Sequence, residues 1–221
     1  MATLPPLRHE LKYFINYGEY THLSRTLDFV LDRDPSGEEY NEYPVRSLYF
    51  DTIFDDFLYE KISGVGQRKK YRIRIYNFSD KLIKLECKAK YGDQISKQSL
   101  TIPRELADQL IAGDPTGLDR TSAPLLHDIY REMKTRLLRP VVIVDYVREA
   151  YIHPAEDVRI TFDKQLHTGI SSVDMFDKYV PTMPTLDENL IVLEVKFNRM
   201  LPDHIQALLS GISAERSAIS K

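Results

Sequence analysis

Hydrophobic and polar residues alternate with a period of two along most of this chain. In segments rich in Val, Ile, Tyr and Phe, this alternation is typical of β-strands that bury one face. It predicts eight strands, over Arg8–Ile15, Val45–Asp51, Lys69–Asn77, Lys81–Tyr91, Gln94–Ile102, Pro140–Tyr151, Val158–Asp163 and Leu190–Asn198. Helices are predicted over Glu19–Leu31, Arg104–Ile111, Ala123–Leu137 and Pro202–Leu209. We therefore expect an α+β fold with a mostly antiparallel sheet or barrel and flanking helices.

Three segments follow neither pattern and predict long loops: Asp32–Pro44, Gly113–Ser122 and Ser171–Asn189. The last contains Pro181 and Pro184, and we expect it to form a mobile flap. Composition does not change along the chain in a way that marks a boundary, so residues 1–221 are predicted to form a single domain.

Seven of the predicted strands have one apolar face and one face with long charged side chains, because successive strand residues point to opposite sides. The basic members of the charged faces are Arg8, Lys12, Arg72, Arg74, Lys84, Lys88, Lys97, Arg148, Arg159 and Lys196. The acidic members are Glu10, Glu86, Asp163 and Glu194. Tyr146 lies on the same side of its strand as Arg148, and Ser99 on the same side as Lys97.

The charge of the whole chain contrasts with that of these faces. With 30 basic and 33 acidic residues among 221, the chain has a net charge of -3, which argues against a basic nucleic-acid-binding protein. Like charges about 4 Å apart repel by roughly 4 kcal/mol at an effective dielectric constant near 20. The charged faces are therefore either ordinary solvated surface or the binding site of a polyanion. Arginine favours the second interpretation, because its planar guanidinium suits bidentate contacts with phosphate.

The carboxylates on the basic faces also need an explanation. A carboxylate beside phosphate oxygens is repelled unless a divalent cation lies between them, and Mg²⁺ commonly binds one or two carboxylates together with substrate phosphates. Glu194 is the first candidate ligand, followed by Glu10 and Glu86. The alternative is that each of them pairs with a neighbouring Lys or Arg.

Cysteine content and hydropathy narrow the class of protein. Cys87 is the single cysteine, which excludes a disulfide framework and a cysteine-based zinc site. It lies on the apolar face of its strand and is expected to be inert. No stretch approaches the roughly 18 apolar residues of a membrane span, and no signal peptide is predicted. We therefore expect a cytoplasmic protein.

Five short motifs on these strands resemble a known family. They are Arg8-His-Glu10-Leu-Lys12-Tyr13, Ser47-Leu-Tyr49-Phe-Asp51, Tyr71-Arg72-Ile-Arg74-Ile-Tyr76, Lys84-Leu-Glu86-Cys-Lys88 and Leu193-Glu194-Val-Lys196-Phe197. Together they resemble the VTC domain, the polyphosphate polymerase domain of the vacuolar transporter chaperone complex. That family belongs to the triphosphate tunnel metalloenzymes and is related to the adenylate cyclase and thiamine triphosphatase group. The resemblance implies an antiparallel eight-stranded β tunnel with a charged interior.

The resemblance also implies roles for individual residues. The expected catalytic cations are Arg72, Arg74, Lys12 and Lys196. The expected phosphate-binding residues are Arg8, Lys84, Lys88, Lys97, Ser99, Tyr146, Arg148, Arg159, Ser220 and Lys221. Glu194, with Glu10 and Glu86, is expected to hold Mn²⁺ or Mg²⁺.

The implied activity is transfer of the γ-phosphoryl group of ATP onto a growing polyphosphate chain. Related hydrolases begin with Glu where this chain has Arg8, which favours the polymerase-like branch. A tripolyphosphate or nucleoside triphosphate hydrolase and a non-catalytic polyanion-binding module remain alternatives. The expected ligands are ATP, triphosphate or polyphosphate, and export of a product across a membrane would need a separate membrane partner. The sequence does not predict the oligomeric state.

Overall fold

The computed structural model describes residues 9–35, 41–92, 94–120, 123–153, 157–185, 187 and 189–212. Its strands are β1 (His9–Asn16), β2 (Asp32–Arg33), β3 (Glu42–Asp51), β4 (Gln67–Tyr76), β5 (Ser79–Tyr91), β6 (Gln94–Ile102), β7 (Arg139–Ile152), β8 (Arg159–Gly169), β9 (Thr182–Pro184) and β10 (Leu190–Phe197). Its helices are α1 (Tyr17–Leu27), α2 (Asp56–Ile62), α3 (Arg104–Ile111), α4 (Pro124–Arg136) and α5 (Asp203–Leu209), with a 3₁₀ turn over Leu118–Arg120.

The ten strands belong to an antiparallel sheet. Contacts divide the chain into two compact units, the first made of Val45–Val144 and Thr168–Met183 and the second of the described parts of Pro6–Pro44, Asp145–His167 and Pro184–Lys221. The strand order is β3-β4-β5-β6 in the first unit and β1-β10-β8-β7 in the second. The predicted α+β class, with eight main antiparallel strands and flanking helices, is confirmed. The single-domain assignment stays a prediction.

The core of the first unit forms on the apolar side of its strands. Ile73, Ile75 and Leu85 are completely buried, and antiparallel pairing sets Ile73 of β4 opposite Leu85 of β5. Helices α3 and α4 cover this side with Leu110 and Ile129. Burial of each such side chain contributes about 1.5–3 kcal/mol. Because this side is covered, the charged residues at the alternate positions all lie on the opposite side of the sheet.

The core of the second unit lies beneath α1. This helix begins with a capping box, in which Asn16 Oδ1 accepts a hydrogen bond from the backbone amide of Glu19 and Glu19 Oε2 accepts one from the backbone amide of Asn16. Leu23 and Leu27 of α1 pack in the same cluster as Phe162 of β8. The predicted helix is too long, because α1 ends at Leu27 and the chain then turns to bury Leu31.

Helix α2 was not predicted from the sequence. The buried Asp51 carboxylate supports its start, since Oδ1 accepts from the Phe57 amide (2.9 Å) and Oδ2 from the Leu58 amide (3.0 Å). These bonds satisfy amide groups that have no partner within the helix. With seven residues and only Phe57 buried, α2 is too short and too exposed to give a periodic signal.

The expectation of a mobile flap over Ser171–Asn189 is wrong for its first part. Met175 is completely buried, and Val180 is also in the core of the first unit. Arg46, itself buried, donates hydrogen bonds to the carbonyl oxygens of Met175 and Asp177. This part of the segment is therefore packed against the first unit by apolar contacts and by a buried guanidinium.

Candidate active site

Charged and hydroxyl-bearing residues in the first unit line up across four paired strands, and most of them are predicted site residues. The middle row consists of Tyr49, Arg72, Glu86 and Ser99. The row on one side of it consists of Ser47, Arg74, Lys84 and Thr101, and the row on the other side consists of Lys70, Lys88 and Lys97. Neighbouring rows are two residues apart on each strand, so all these side chains lie on the same side of the sheet. We call this set the first basic face. It brings together Arg72, Arg74, Lys84, Lys88, Lys97, Ser99 and Glu86, as the parity of the strands predicted.

Glu86 is the central carboxylate of the first basic face. Its side chain is 3% exposed, and its oxygens lie 2.7 Å from Arg72 Nε, 2.5 Å from Lys97 Nζ and 3.8 Å from Arg74 Nη1. Burial alone would raise the pKa of Glu86, but these three cations outweigh burial and hold the pKa at about 2. Glu86 is therefore ionised and acts as a shared counter-ion for three cations.

The positive potential of this face also acts on Tyr49. Arg72 Nη1 donates a hydrogen bond to Tyr49 Oη (3.0 Å) and lies over its ring. Burial would raise the pKa of Tyr49, yet Arg72 and Arg74 lower it below its usual value. Tyr49 therefore lies close enough to the cations of the first basic face for their charge to act on its hydroxyl.

A second charged set lies in the second unit, where β1 pairs with β10 and β10 with β8. Lys12 Nζ is 2.9 Å from Glu10 Oε1 and 3.2 Å from Glu194 Oε2, and Lys196 Nζ contacts Glu194 Oε1. Glu194 is 6% exposed. Burial alone would raise the pKa of Glu194, but Lys196, Lys12 and Arg148 hold it well below its usual range. We call this set, with Arg148 and Arg159, the Glu194 cluster.

Thr161 adds a buried oxygen to the surroundings of Glu194. Among the described residues, the Thr161 hydroxyl is buried and makes no hydrogen bond, whereas Glu194 Oε1 contacts Lys196 Nζ. The two residues are direct partners in the β10–β8 pairing. Glu10, Glu194 and Thr161 thus supply hard oxygen donors of the kind that Mg²⁺ and Mn²⁺ prefer. A divalent cation fits this donor set, although the described part of the chain contains no group of three or more His, Cys, Asp and Glu arranged to hold a metal.

Arg148 is fixed by a buried bidentate ion pair. Its Nε and Nη2 lie 2.7 and 2.8 Å from the two carboxylate oxygens of Asp163, and its guanidinium lies 5.2 Å from the centre of the Tyr146 ring. Tyr146 and Asp163 are both buried. A guanidinium held in this way has little freedom to reorient, so a ligand must approach it from a fixed direction.

Arg159 is held by two residues that sequence reasoning missed. Its Nη2 lies 2.5 Å from Asp34 Oδ2 and donates to Tyr43 Oη at 3.2 Å. Asp34 and Tyr43 are buried, whereas the Arg159 side chain is 38% exposed. Both partners lie in the predicted loop Asp32–Pro44, which carries no periodic pattern that would have identified them.

The structure divides the predicted site residues between the two units. Glu86 belongs to the first unit, while Glu10 and Glu194 belong to the second. Lys70, on the same side of β4 as Arg72, was missed although strand parity could have found it. Predicted residues Arg8, Ser220 and Lys221 lie outside the described residues. The roles assigned to all these residues stay predictions.

Comparison with known proteins identifies the family. The profile of the VTC domain matches residues 7–221. The chain belongs to the VTC domain family. No curated protein gives a significant match to the sequence of this VTC domain.

Two solved structures share the fold of this VTC domain. A candidate adenylate cyclase from Bacillus halodurans superposes with a TM-score of 0.58 at 12% identity, covering 100% of this chain and 96% of the other. A candidate adenylate cyclase from Vibrio parahaemolyticus gives 0.52 at 11% identity, with coverage of 97% and 95%. At such identities the likeness concerns the fold alone. The match to the VTC profile confirms the predicted family, and the two structures agree with the predicted fold.

Hydropathy adds one observation. None of the helices in the described ranges combines the length and the apolar character needed to cross a membrane.

Proposed function

We propose that this VTC domain is a metal-dependent phosphotransferase that moves the γ-phosphoryl group of ATP onto a polyphosphate chain. Membership of the VTC family supports a triphosphate as ligand. The observation that carries the proposal is the first basic face, where rows of Arg and Lys surround a single buried carboxylate. Such a face suits a ligand with many negative charges at regular intervals.

The residues of the first basic face would bind and orient phosphate groups. Arg72 and Arg74 offer planar guanidinium donors, and Lys84, Lys88 and Lys97 add point charges around them. Ser99, beside Glu86 on β6, would donate a hydrogen bond. When phosphate oxygens reach Arg72 they compete with Glu86 for the same donors, so the carboxylate limits affinity and favours ligands with several phosphates.

The Glu194 cluster, in the second unit, would neutralise charge on phosphoryl groups that bind to it. Glu194 and Glu10 would hold Mn²⁺ or Mg²⁺, which supplies Lewis-acid stabilisation of phosphate oxygens when bound. Lys12 and Lys196 would stabilise negative charge on the transferred and leaving groups. The acceptor is an ionised phosphate oxygen, so neither a protein nucleophile nor a strong general base is required.

The experiment is incubation of the full chain with ATP and either Mn²⁺ or Mg²⁺, followed by phosphorus NMR and a polyphosphate gel. Growing chains support the proposal. Release of inorganic phosphate alone indicates the hydrolase, and tripolyphosphate binding without turnover indicates a binding module. The binding module is favoured by the absence of a three-ligand metal group among the described residues.

Glu194→Gln tests the metal assignment. This change keeps the shape of the side chain but removes its charge, so we expect turnover to be lost while tripolyphosphate still binds by calorimetry. Asp203→Asn, at the exposed start of α5 in the same unit, is the matched control and should retain activity. Unchanged turnover in the Glu194 variant would remove this carboxylate from the metal site.

A further inference from the structure

A buried carboxylate that the proposed chemistry does not use lies beneath α1 in the second unit. The side chain of Glu149, on β7, is 3% exposed, and its oxygens accept hydrogen bonds from several elements. The donors are Arg33 Nη1 of β2 (2.5 Å), Tyr151 Oη of β7 (2.8 Å), Tyr20 Oη of α1 (2.6 Å) and Lys164 Nζ of β8 (3.1 Å). Burial alone would raise the pKa of Glu149, but Tyr20, Lys164 and Tyr151 hold it below its usual value. Glu149 is therefore ionised.

Lys164 extends this network to a second chain segment. Besides Glu149, its ammonium group contacts Glu42 Oε1, at the start of β3. Glu149 thus holds Arg33 directly and Glu42 through Lys164. Because β2 ends at Arg33 and β3 begins at Glu42, the network fixes both ends of the connection between these two strands.

The residues that follow Arg33 and Glu42 point to the opposite side of the sheet, because side chains alternate along an extended chain. The β2–β7 pairing continues through the amide of Asp34, and Tyr43 is the second residue of β3. Asp34 and Tyr43 are the residues that hold Arg159 Nη2, at 2.5 and 3.2 Å. Two routes therefore connect the buried carboxylate with this guanidinium: Glu149–Arg33–Asp34–Arg159 and Glu149–Lys164–Glu42–Tyr43–Arg159.

Stability alone does not require such a network. An apolar cluster of similar volume often stabilises a fold as well as buried charges do, or better. Hydrogen bonds differ from apolar contacts because they have preferred directions, so this network sets the positions of Arg33 and Glu42. Arg159 benefits from that control, because its side chain is long and 38% exposed and has many conformations when it is not held.

We propose that Glu149 is a positioning residue that orients Arg159 for phosphate binding. Glu149 does not touch the ligand. It fixes the two chain segments that carry Asp34 and Tyr43, so that a phosphate group meets the guanidinium in one orientation. The inference rests on the proposed function, in which Arg159 binds phosphate.

Two variants of the full chain interrupt the network. Glu149→Gln keeps the shape of the side chain but removes the charge that holds Arg33 and Lys164. Glu42→Gln is milder, because the Glu42 side chain is 32% exposed and only the second route is weakened, so it tests the proposal even where Glu149→Gln does not fold. Asp203→Asn, at the exposed start of α5 in the same unit, is the matched control. Urea unfolding shows which variants are folded under the assay conditions.

NMR of the arginine Nε–Hε groups measures the orientation of Arg159 without any ligand. We expect the Arg159 signal to shift in both Gln variants and to stay unchanged in Asp203→Asn. Arg148, which precedes Glu149 on β7 and is held by Asp163, is the internal control, because a general distortion of β7 would move its signal too. An unchanged Arg159 signal, or equal shifts of the Arg148 and Arg159 signals, overturns the proposal.

Calorimetry with tripolyphosphate measures the consequence for binding. Glu149→Gln should raise the Kd roughly 3–30-fold in the wild-type background and leave it unchanged in an Arg159→Ala background, as for residues coupled in one network. If Arg159→Ala alone binds as tightly as the wild type, Arg159 is not a phosphate ligand, and both its role in the proposed function and this inference fail. If Arg159→Ala weakens binding but neither Gln variant does, this inference alone fails.

Discussion

The Glu86→Gln variant distinguishes two effects of Glu86, its contribution to the folding stability of the protein and its effect on the affinity of the first basic face for phosphate. Folding lowers the pKa of Glu86 from the usual 4.5 to about 2, a change of about 2.5 pH units. At 1.36 kcal/mol per unit, the ionised carboxylate contributes about 3 kcal/mol to folding at neutral pH. Its side chain is 3% exposed, so solvent screening removes little of this amount. Loss of one partner from a buried ion pair typically costs a similar 3–5 kcal/mol.

The pH dependence follows from the sign of the shift. Because the folded-state pKa lies below the unfolded one, the contribution is fully present above about pH 5 and is lost as the pH falls toward about 2. The free energy of unfolding, measured in urea, should therefore be about 3 kcal/mol lower for Glu86→Gln than for the wild type at pH 7. Near pH 2 the two proteins should have the same free energy of unfolding. Asp119→Asn, an exposed acid in the same unit, is the control and should match the wild type at both values.

The same variant should bind tripolyphosphate more tightly than the wild type, because Arg72, Arg74 and Lys97 lose the carboxylate that competes with the ligand. Saturating tripolyphosphate should then restore much of the lost stability, since a ligand at 100 times its Kd contributes about 2.7 kcal/mol. Calorimetry and thermal unfolding measure the two effects. Equal stability of variant and wild type at pH 7, or weaker binding by the variant, would refute the counter-ion role of Glu86.

Three further predictions concern fixed or buried groups. Arg148→Ala should lower the free energy of unfolding, measured in urea, by about 3–5 kcal/mol, because it leaves Asp163 buried without its partner. A decrease of less than about 1 kcal/mol would contradict this. Measured by calorimetry, Asp34→Asn should raise the Kd for tripolyphosphate roughly tenfold in the wild type but should have no effect in an Arg159→Ala background. Equal effects in both backgrounds would show that Asp34 does not act through Arg159. Burial raises the pKa of Cys87 to about 11, so a thiol reagent should label the native protein at pH 8 far more slowly than the unfolded protein.

Strand periodicity predicted most of the sheet because one side of each strand is buried. The segment Gln94–Ile102 and the helix Arg104–Ile111 have the predicted bounds. On β4 and β5, alternation also identified which charged residues share a face, since the apolar partners at intermediate positions are held by the core. Local pattern is sufficient there because burial acts on every second residue.

The same rule fails where polar groups are buried on the apolar side. Glu149 of β7 and Lys164 of β8 lie under α1, where Glu149 binds Tyr20 (2.6 Å), Tyr151 (2.8 Å) and Lys164 (3.1 Å). Periodicity predicts apolar residues at such positions and cannot identify their partners, which come from α1, from β8 and from β7 itself. Arg159 and Tyr43, which are 116 residues apart in the sequence, are another case, because their contact depends on the tertiary fold.

The first basic face and the Glu194 cluster both contain a carboxylate that reduces the repulsion predicted from the sequence. A face that carried only positive charges would destabilise the unliganded protein. Each unit, however, has a buried carboxylate among its cations, Glu86 in the first unit and Glu194 in the second. Each carboxylate stays ionised and offsets the repulsion without filling all the donors around it. Under the proposed function, a phosphate chain would therefore replace an existing counter-ion and would not have to create the site. Because the exchange trades one anion for another, we expect affinity to depend steeply on the number of phosphates in the ligand and on ionic strength.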